Sequence, residues 1–256
     1  MMKPRGSQLL QQLPAQARAQ ILAAGREMAK LALDYAIPII FAPPVGIAGK
    51  INGATGFGLR LDSGVFIGTA HHVLYDKGGY VDRIESGERL NWQVGHLRPF
   101  DPLLRVAWKD ESLDIVLLEV SEEEAAAIGP CIVSSPPKWP PDLPKNGELV
   151  LIAGYPKALR EEDRSSGIIG AGPLAAVFRI TKVDEWYCSC VVERKDLVSF
   201  DGPLPELGTE IGGMSGAPVL RVGMLSYPLV GVVSGSFKMD DELEILRFAN
   251  LKSVAI

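Results

Sequence analysis

An all-β chain of two halves, preceded by one helix, is the fold class this sequence predicts, and three observations predict it. Short apolar runs with strand spacing recur between glycine, proline and charged residues from Pro38 onward. A stretch with Pro136, Pro137, Pro140, Pro141 and Pro144 reads as a stiff extended connector between two such series. A helical period lies ahead of both series, at residues 14–35.

Taken in order, Pro14 suits a first helical position, and Ala17, Ile21, Ala24, Met28, Leu31 and Tyr35 recur at alternating steps of four and three. That single stripe docks on the body of the same chain or meets a partner or second copy. Next, Gly56–Leu61, Asp62-Ser63-Gly64 and Val65–Ala70 read as strand, tight turn, strand. Residues 90–96, 103–108 and 114–120 are further strands of the first series. Those of the second are 148–153, 176–184, 186–193, 217–222 and 229–236. Residues 157–173, rich in Arg, Glu and Ser, read as a polar surface loop.

Bulk composition narrows the function classes. A chain of 256 residues with 47% hydrophobic and 22% charged residues is a folded protein rather than a disordered one. A net charge of -5 and a pI near 5.3 lack the basic face that nucleic acid binding requires. Cys131, Cys188 and Cys190 are odd in number, and a lone C-x-C falls short of the four ligands of a closed zinc site. Three reduced thiols, no metal and no cofactor are expected. The apolar stretch Ala36–Gly49 is too short to span a bilayer and holds Pro38, Pro43 and Pro44, so no membrane role is expected. The first residues have no apolar core of a signal peptide, and a cytoplasmic location is the expectation.

The chemistry concentrates in three places. Thr69-Ala70-His71-His72 closes a strand where it should leave its sheet, and Asp114 opens the apolar run Ile115-Val116-Leu117-Leu118. Alone, each has a bland reading as a structural feature. Gly213-Met214-Ser215-Gly216-Ala217-Pro218 is more specific: a string of form G-x-S-G-x-P arises by chance in about one in a hundred chains of this size. Glycines around a serine allow a tight turn whose backbone N–H groups face outward, which is what a developing oxyanion requires. A strand follows instead of a helix, so this is not the lipase nucleophile elbow.

His72, Asp114 and Ser215 occur in the chymotrypsin order of triad residues, and their surroundings resemble the trypsin-like serine peptidase superfamily. Thr69–His72 looks like that family's T-A-x-H, Asp114–Leu118 like its D-I-x-L-L, and residues 213–218 like its G-x-S-G-x-P. Gly231-Val232-Val233-Ser234-Gly235 is similar to the strand after its nucleophile. Residues 147–156 resemble the opening of the second barrel in bacterial members. The likeness covers roughly residues 38–250.

It implies two six-stranded antiparallel Greek-key β-barrels: residues 1–37 a helical extension, 38–135 the first barrel with His72 and Asp114, 136–146 the proline-rich linker, and 147–256 the second barrel with Ser215. It implies a hydrolase cutting peptide bonds through an acyl-enzyme, with His72 as base, Asp114 orienting it, and the N–H groups of Gly213 and Ser215 as oxyanion hole. Ser234 would hydrogen-bond Asp114. Val233, Ser234, Gly235 and Ser236 would pair with a peptide substrate as an added strand, with Thr209 at the floor of the first pocket.

Two departures matter. Met214 stands where zymogen-activated members carry an aspartate for the new N-terminus, and no I-V-G-G start is present. The resemblance is therefore to the bacterial HtrA-like and glutamyl-peptidase branches, without a PDZ domain. A catalytically silent pseudopeptidase that binds peptides as a scaffold, and an ester hydrolase on the same site, remain alternatives. The implied partners are a protein or peptide substrate and a regulator or second copy at the N-terminal helix.

Overall fold

The computed structural model describes residues 14–129, 132–133, 139–163, 168–193, 197–200, 204, 213–223, 226–238 and 243–254. Helix α1 (Ala15–Leu33) leads into strand β1 (Ile37–Ala42), which pairs antiparallel with β2 (Asn52–Leu61). β2 turns back as β3 (Gly64–Thr69), and β3 pairs with β6 (Ile115–Val120). With β4 (Asn91–Val94) on β1 and β5 (Val106–Asp110) on β6, the order is β4-β1-β2-β3-β6-β5. A short β7 (Ile132–Val133) adds parallel to β2.

The second half repeats this winding and closes it. β8 (Leu149–Gly154) pairs with β11 (Leu174–Val183), β11 with β12 (Tyr187–Glu193), and β12 with β16 (Leu243–Asn250). β16 pairs with β15 (Leu229–Lys238), β15 with β14 (Pro218–Arg221), and β14 returns to β8. Six antiparallel strands thus form a closed Greek-key barrel, with β13 (Val198–Ser199) added to β11. The same order in both halves is the double-barrel, trypsin-like all-β architecture.

Three apolar cores hold it. One lies within the first barrel around Trp92, Phe41, Ile67 and Leu118, and another within the second around Ile152, Ile180, Val219 and Phe248. The third is the seam between them, where Phe57, Leu59, Phe66 and Leu117 of the first barrel meet Leu151, Leu220, Val232 and Ala249 of the second. Helix α1 enters this seam through Ala29 and Ala32, packing on β8 and β11, and Ala36, just past its end, joins them. Alanines let the helix axis come close to the sheet. The buried stripe therefore differs from the one read in the sequence: Ala24 is exposed and Leu31 is 40% exposed.

Several elements depart from the strand-by-strand expectation. Residues 103–108 are not one strand, because Pro102–Arg105 form a 3-10 turn whose Leu103 N–H donates to Asp101, and β5 starts only at Val106. Within the polar stretch 157–173, β9 (Arg160–Asp163) and β10 (Ile168–Ala171) form a hairpin. Helices α2 (His71–Tyr75), α3 (Tyr80–Glu85) and α4 (Glu122–Ile128) interrupt the first barrel. Only α4 carries a sequence signal, the capping box of Ser121 with Glu124. Part of the proline-rich linker lies outside the described residues, and 139–145 have no regular structure.

Candidate active site

Strand pairing decides where the first two candidate residues meet. Thr69, the last residue of β3, lies opposite Val116 near the start of β6. The residues just after β3 and just before β6 are therefore neighbours. The chain leaves β3 into the single turn of α2, which puts His71 and His72 beside the turn 111–114. Asp114 closes that turn at φ 57, a left-handed conformation that aspartate tolerates better than most residues. Its carbonyl accepts from His71 N–H at 3.1 Å and its Oδ1 from His72 N–H at 2.9 Å. Its Oδ2 lies 2.8 Å from Nδ1 of the His72 ring. That pairing leaves Nε2 as the free ring nitrogen and makes it the acceptor when the imidazole is neutral.

The two histidines have different fates. His71 is 7% exposed and stacks on Tyr75 with ring centroids 4.5 Å apart. His72 is part-buried, with its side chain 33% exposed. Burial works against the charged form of the His72 ring, but the hydrogen bond and charge of Asp114, helped by Asp76, outweigh it. The net result is a pKa above the ordinary 6.5.

The serine turn reaches the same place from the second barrel. Gly213 and Gly216 have φ of 100° and 84°, which side chains other than glycine rarely adopt. Gly216 N–H donates to Val233 carbonyl at 2.8 Å, and Ala217 N–H to Met214 carbonyl at 2.9 Å, closing the turn on β15. A Cβ on Gly216 would lie 2.1 Å from Thr55 O, 2.3 Å from Thr69 Oγ1 and 2.9 Å from Ala70 N, so the turn presses against the residues that lead into His72. The N–H groups of Gly213 and Ser215 donate to no protein acceptor among the described residues. No hydrogen bond joins the Ser215 hydroxyl to the His72 ring in this structure.

Thr55 fastens this contact, and the sequence reading gave it no role. It is fully buried and uses every polar group it has. Its N–H donates to Ser215 carbonyl at 3.0 Å and its hydroxyl to Gly213 carbonyl at 2.9 Å. The hydroxyl accepts from Tyr155 N–H at 2.9 Å, and the Thr55 carbonyl accepts from Thr69 Oγ1 at 2.8 Å. One polar residue in the glycine-rich run Gly53–Gly58 was the signal available.

Two expectations need correction. Ser234 does not bond Asp114: its hydroxyl donates to Arg247 carbonyl at 3.3 Å and accepts from Arg247 Nε at 3.2 Å. A shift in the β15–β16 register between Val233 and Gly235 accompanies this arrangement. Val233 cannot pair with an added strand, because its N–H donates to Ala217 carbonyl and its carbonyl accepts from Gly216. Ser234, Gly235 and Ser236 lie beyond the last pairing with β14, at Val232, and keep that edge without a strand among the described residues. Thr209 lies outside the described residues. Met214 is 5% exposed and packs into the second barrel's core beside Gly154, whose Cβ would come within 2.9 Å of its sulfur.

Cys188 and Cys190 are free and buried, and burial pushes both thiols up to about 12, which leaves them unreactive. Among the described residues no three His, Cys, Asp or Glu side chains gather as metal ligands.

No family model matches the chain, and no curated protein matches its sequence. Solved structures do. A thermostable serine protease, AL20, from an extremophilic microorganism is 11% identical, with 85% of this chain and 91% of that one covered and a TM-score of 0.46. The protease Anisep from Arthrobacter nicotinovorans is also 11% identical, covers 85% of this chain and 90% of its own, and has a TM-score of 0.48. At such values neither likeness carries an argument about chemistry. The strand pairing itself makes this a chymotrypsin-like double barrel.

Proposed function

We propose that this protein is a serine endopeptidase that cuts peptide bonds through an acyl-enzyme on Ser215. The observation that carries the reading is the His72–Asp114 pair at 2.8 Å, held against a glycine turn whose Gly213 and Ser215 N–H groups are unspent. In the proposed mechanism the Ser215 Oγ attacks the scissile carbonyl while Nε2 of neutral His72 takes its proton. The imidazolium then returns that proton to the departing amine. Asp114 holds Nδ1–H, which fixes the tautomer and stabilises the charged ring. The two free N–H groups receive the oxyanion, at about 3 kcal/mol for each well-placed donor. Water, activated by the same histidine, releases the acyl group.

The unmade bond between Ser215 and His72 is compatible with an unliganded enzyme, since such bonds tighten when substrate arrives. It also favours a second reading, in which the groove binds peptides without cutting them. A fluorophosphonate probe separates the two. The expected result is covalent labelling of the wild type and loss of label in both Ser215→Ala and His72→Ala. Absence of label on a folded wild type, shown by its circular dichroism, would leave only the binding module. Label that persists in Ser215→Ala would refute the nucleophile.

A further inference from the structure

Arg247 lies one strand away from the free edge of Ser234, Gly235 and Ser236. It sits on β16 directly opposite Gly235, so the two share one face of the sheet. On that face Tyr187 and Phe237 flank it, with ring centroids 4.4 and 5.2 Å from the guanidinium carbon. Tyr187 is itself fixed by a hydrogen bond from its hydroxyl to the Ser112 carbonyl in the first barrel. The side chain is half-buried, and Nε donates to Ser234 Oγ. Its terminal amino groups have no hydrogen-bond acceptor, and no carboxylate forms a salt bridge with it, among the described residues. An arginine held in place by two rings yet without a carboxylate among the described residues is unusual, since guanidinium groups seek planar anions.

Gly235 opens the way to it. A Cβ at Gly235 would meet nothing within 4 Å among the described residues, so none of them fills the space over this residue. Neighbouring strands lie about 4.8 Å apart, and successive side chains of a strand point to opposite faces. A peptide added to the Ser234–Ser236 edge therefore presents alternate side chains over Gly235, toward Arg247. With no side chain at Gly235 in between, an acidic side chain two strands away is within reach of the guanidinium.

Resting on the reading of the Ser234–Ser236 edge as a peptide site, we propose that Arg247 is a specificity-determining residue that selects peptides with aspartate or glutamate on the face above Gly235. The rings of Tyr187 and Phe237 hold the planar cation and partly exclude water, which strengthens its pairing with a carboxylate.

The test is a set of otherwise identical peptides with Glu or Gln at each residue preceding the cleaved bond. Cleavage is compared between wild type, Arg247→Gln and Arg247→Lys. The wild type should prefer Glu by about tenfold or more, the scale of a charge-assisted hydrogen bond, at alternate positions only. That ratio should fall to about one in Arg247→Gln, persist in part in Arg247→Lys, and shrink in 1 M salt. Equal cleavage of Glu and Gln peptides by the wild type overturns the proposal. So does a Glu preference that survives Arg247→Gln, including the case in which both peptides slow equally. If no peptide is cut, the endopeptidase reading fails while this one stays testable. Fluorescence anisotropy of the labelled peptides should then show the same Glu preference in binding, and its absence overturns the assignment of Arg247.

Discussion

Replacing Asp114 by Asn should lower the rate of fluorophosphonate labelling and of peptide cleavage by about 10⁴-fold while leaving the fold intact. The amide keeps the shape of the carboxylate and tolerates the left-handed backbone at φ 57, so the turn 111–114 survives. What changes is the proton on His72. An asparagine that donates to Nδ1 leaves the ring proton on Nε2, where it cannot accept from Ser215. Asp114→Ala is the poorer probe, because alanine in a left-handed turn adds about 1 kcal/mol or more of strain.

The same variant moves the histidine's titration. With Asp114 gone, burial is left opposed only by Asp76, so the His72 pKa should drop from above 6.5 toward or below it. Proton NMR of the ring measures this without activity. In the wild type the neutral ring that the proposed mechanism needs appears only as pH rises through the raised pKa, so the proposed cleavage should have its acid limb above pH 6.5. Stability runs the other way. A histidine whose pKa is raised by folding stabilises the fold fully below 6.5, and that contribution is lost as pH rises through the folded value. An acid limb unmoved by Asp114→Asn, with residual activity measurable, would remove His72 as the base.

Gly216→Ala should be the most damaging single methyl among the described glycines. The new Cβ would sit 2.1 Å from the Thr55 carbonyl, a backbone atom in the middle of β2 that cannot swing aside. At φ 84 alanine is strained as well. Relief requires the serine turn to lift away from β2, breaking the Thr55 bonds to Ser215 and Gly213. A loss of about 4 kcal/mol or more is expected, read as a lower urea midpoint, together with loss of probe labelling. Gly235→Ala is the matched control. Its Cβ meets nothing within 4 Å among the described residues and its φ lies outside the left-handed region, so its unfolding free energy should change by less than about 0.5 kcal/mol. A wild-type midpoint for Gly216→Ala would mean that the turn does not lie where these contacts put it.

The architecture was readable because its chemistry-bearing segments are also its most regular ones. Val65–Thr69 and Ile115–Val120 are apolar runs with the strand residues to match, and both are strands. What escaped was decided by partners far away in sequence. β1 was read as a proline-broken apolar stretch, yet its burial alternates, and Pro38 still joins the sheet through its carbonyl, which accepts from Gly95 N–H. β16 was not expected at all. Leu243-Glu244-Ile245-Leu246-Arg247-Phe248 suits a helix as well as a strand, and only the waiting edges of β12 and β15 resolve it. Missing β16 meant missing Arg247, and with it the reason Ser234 turns away from Asp114. The left-handed Asp114 was illegible, and Thr55 offered only its lone polar place among glycines, since both roles depend on contacts between segments.

The seam between the barrels has a further consequence. The candidate base belongs to one barrel and the candidate nucleophile to the other, and each barrel also keeps a core of its own. Reactivity is therefore a property of assembly, whereas secondary structure is a property of each half. A denaturant that loosens the seam first should take the candidate site apart before either half melts. Activity and far-ultraviolet circular dichroism, followed through one urea titration, should part company, with activity disappearing at the lower concentration; coincident curves would mean that the three cores fail as one.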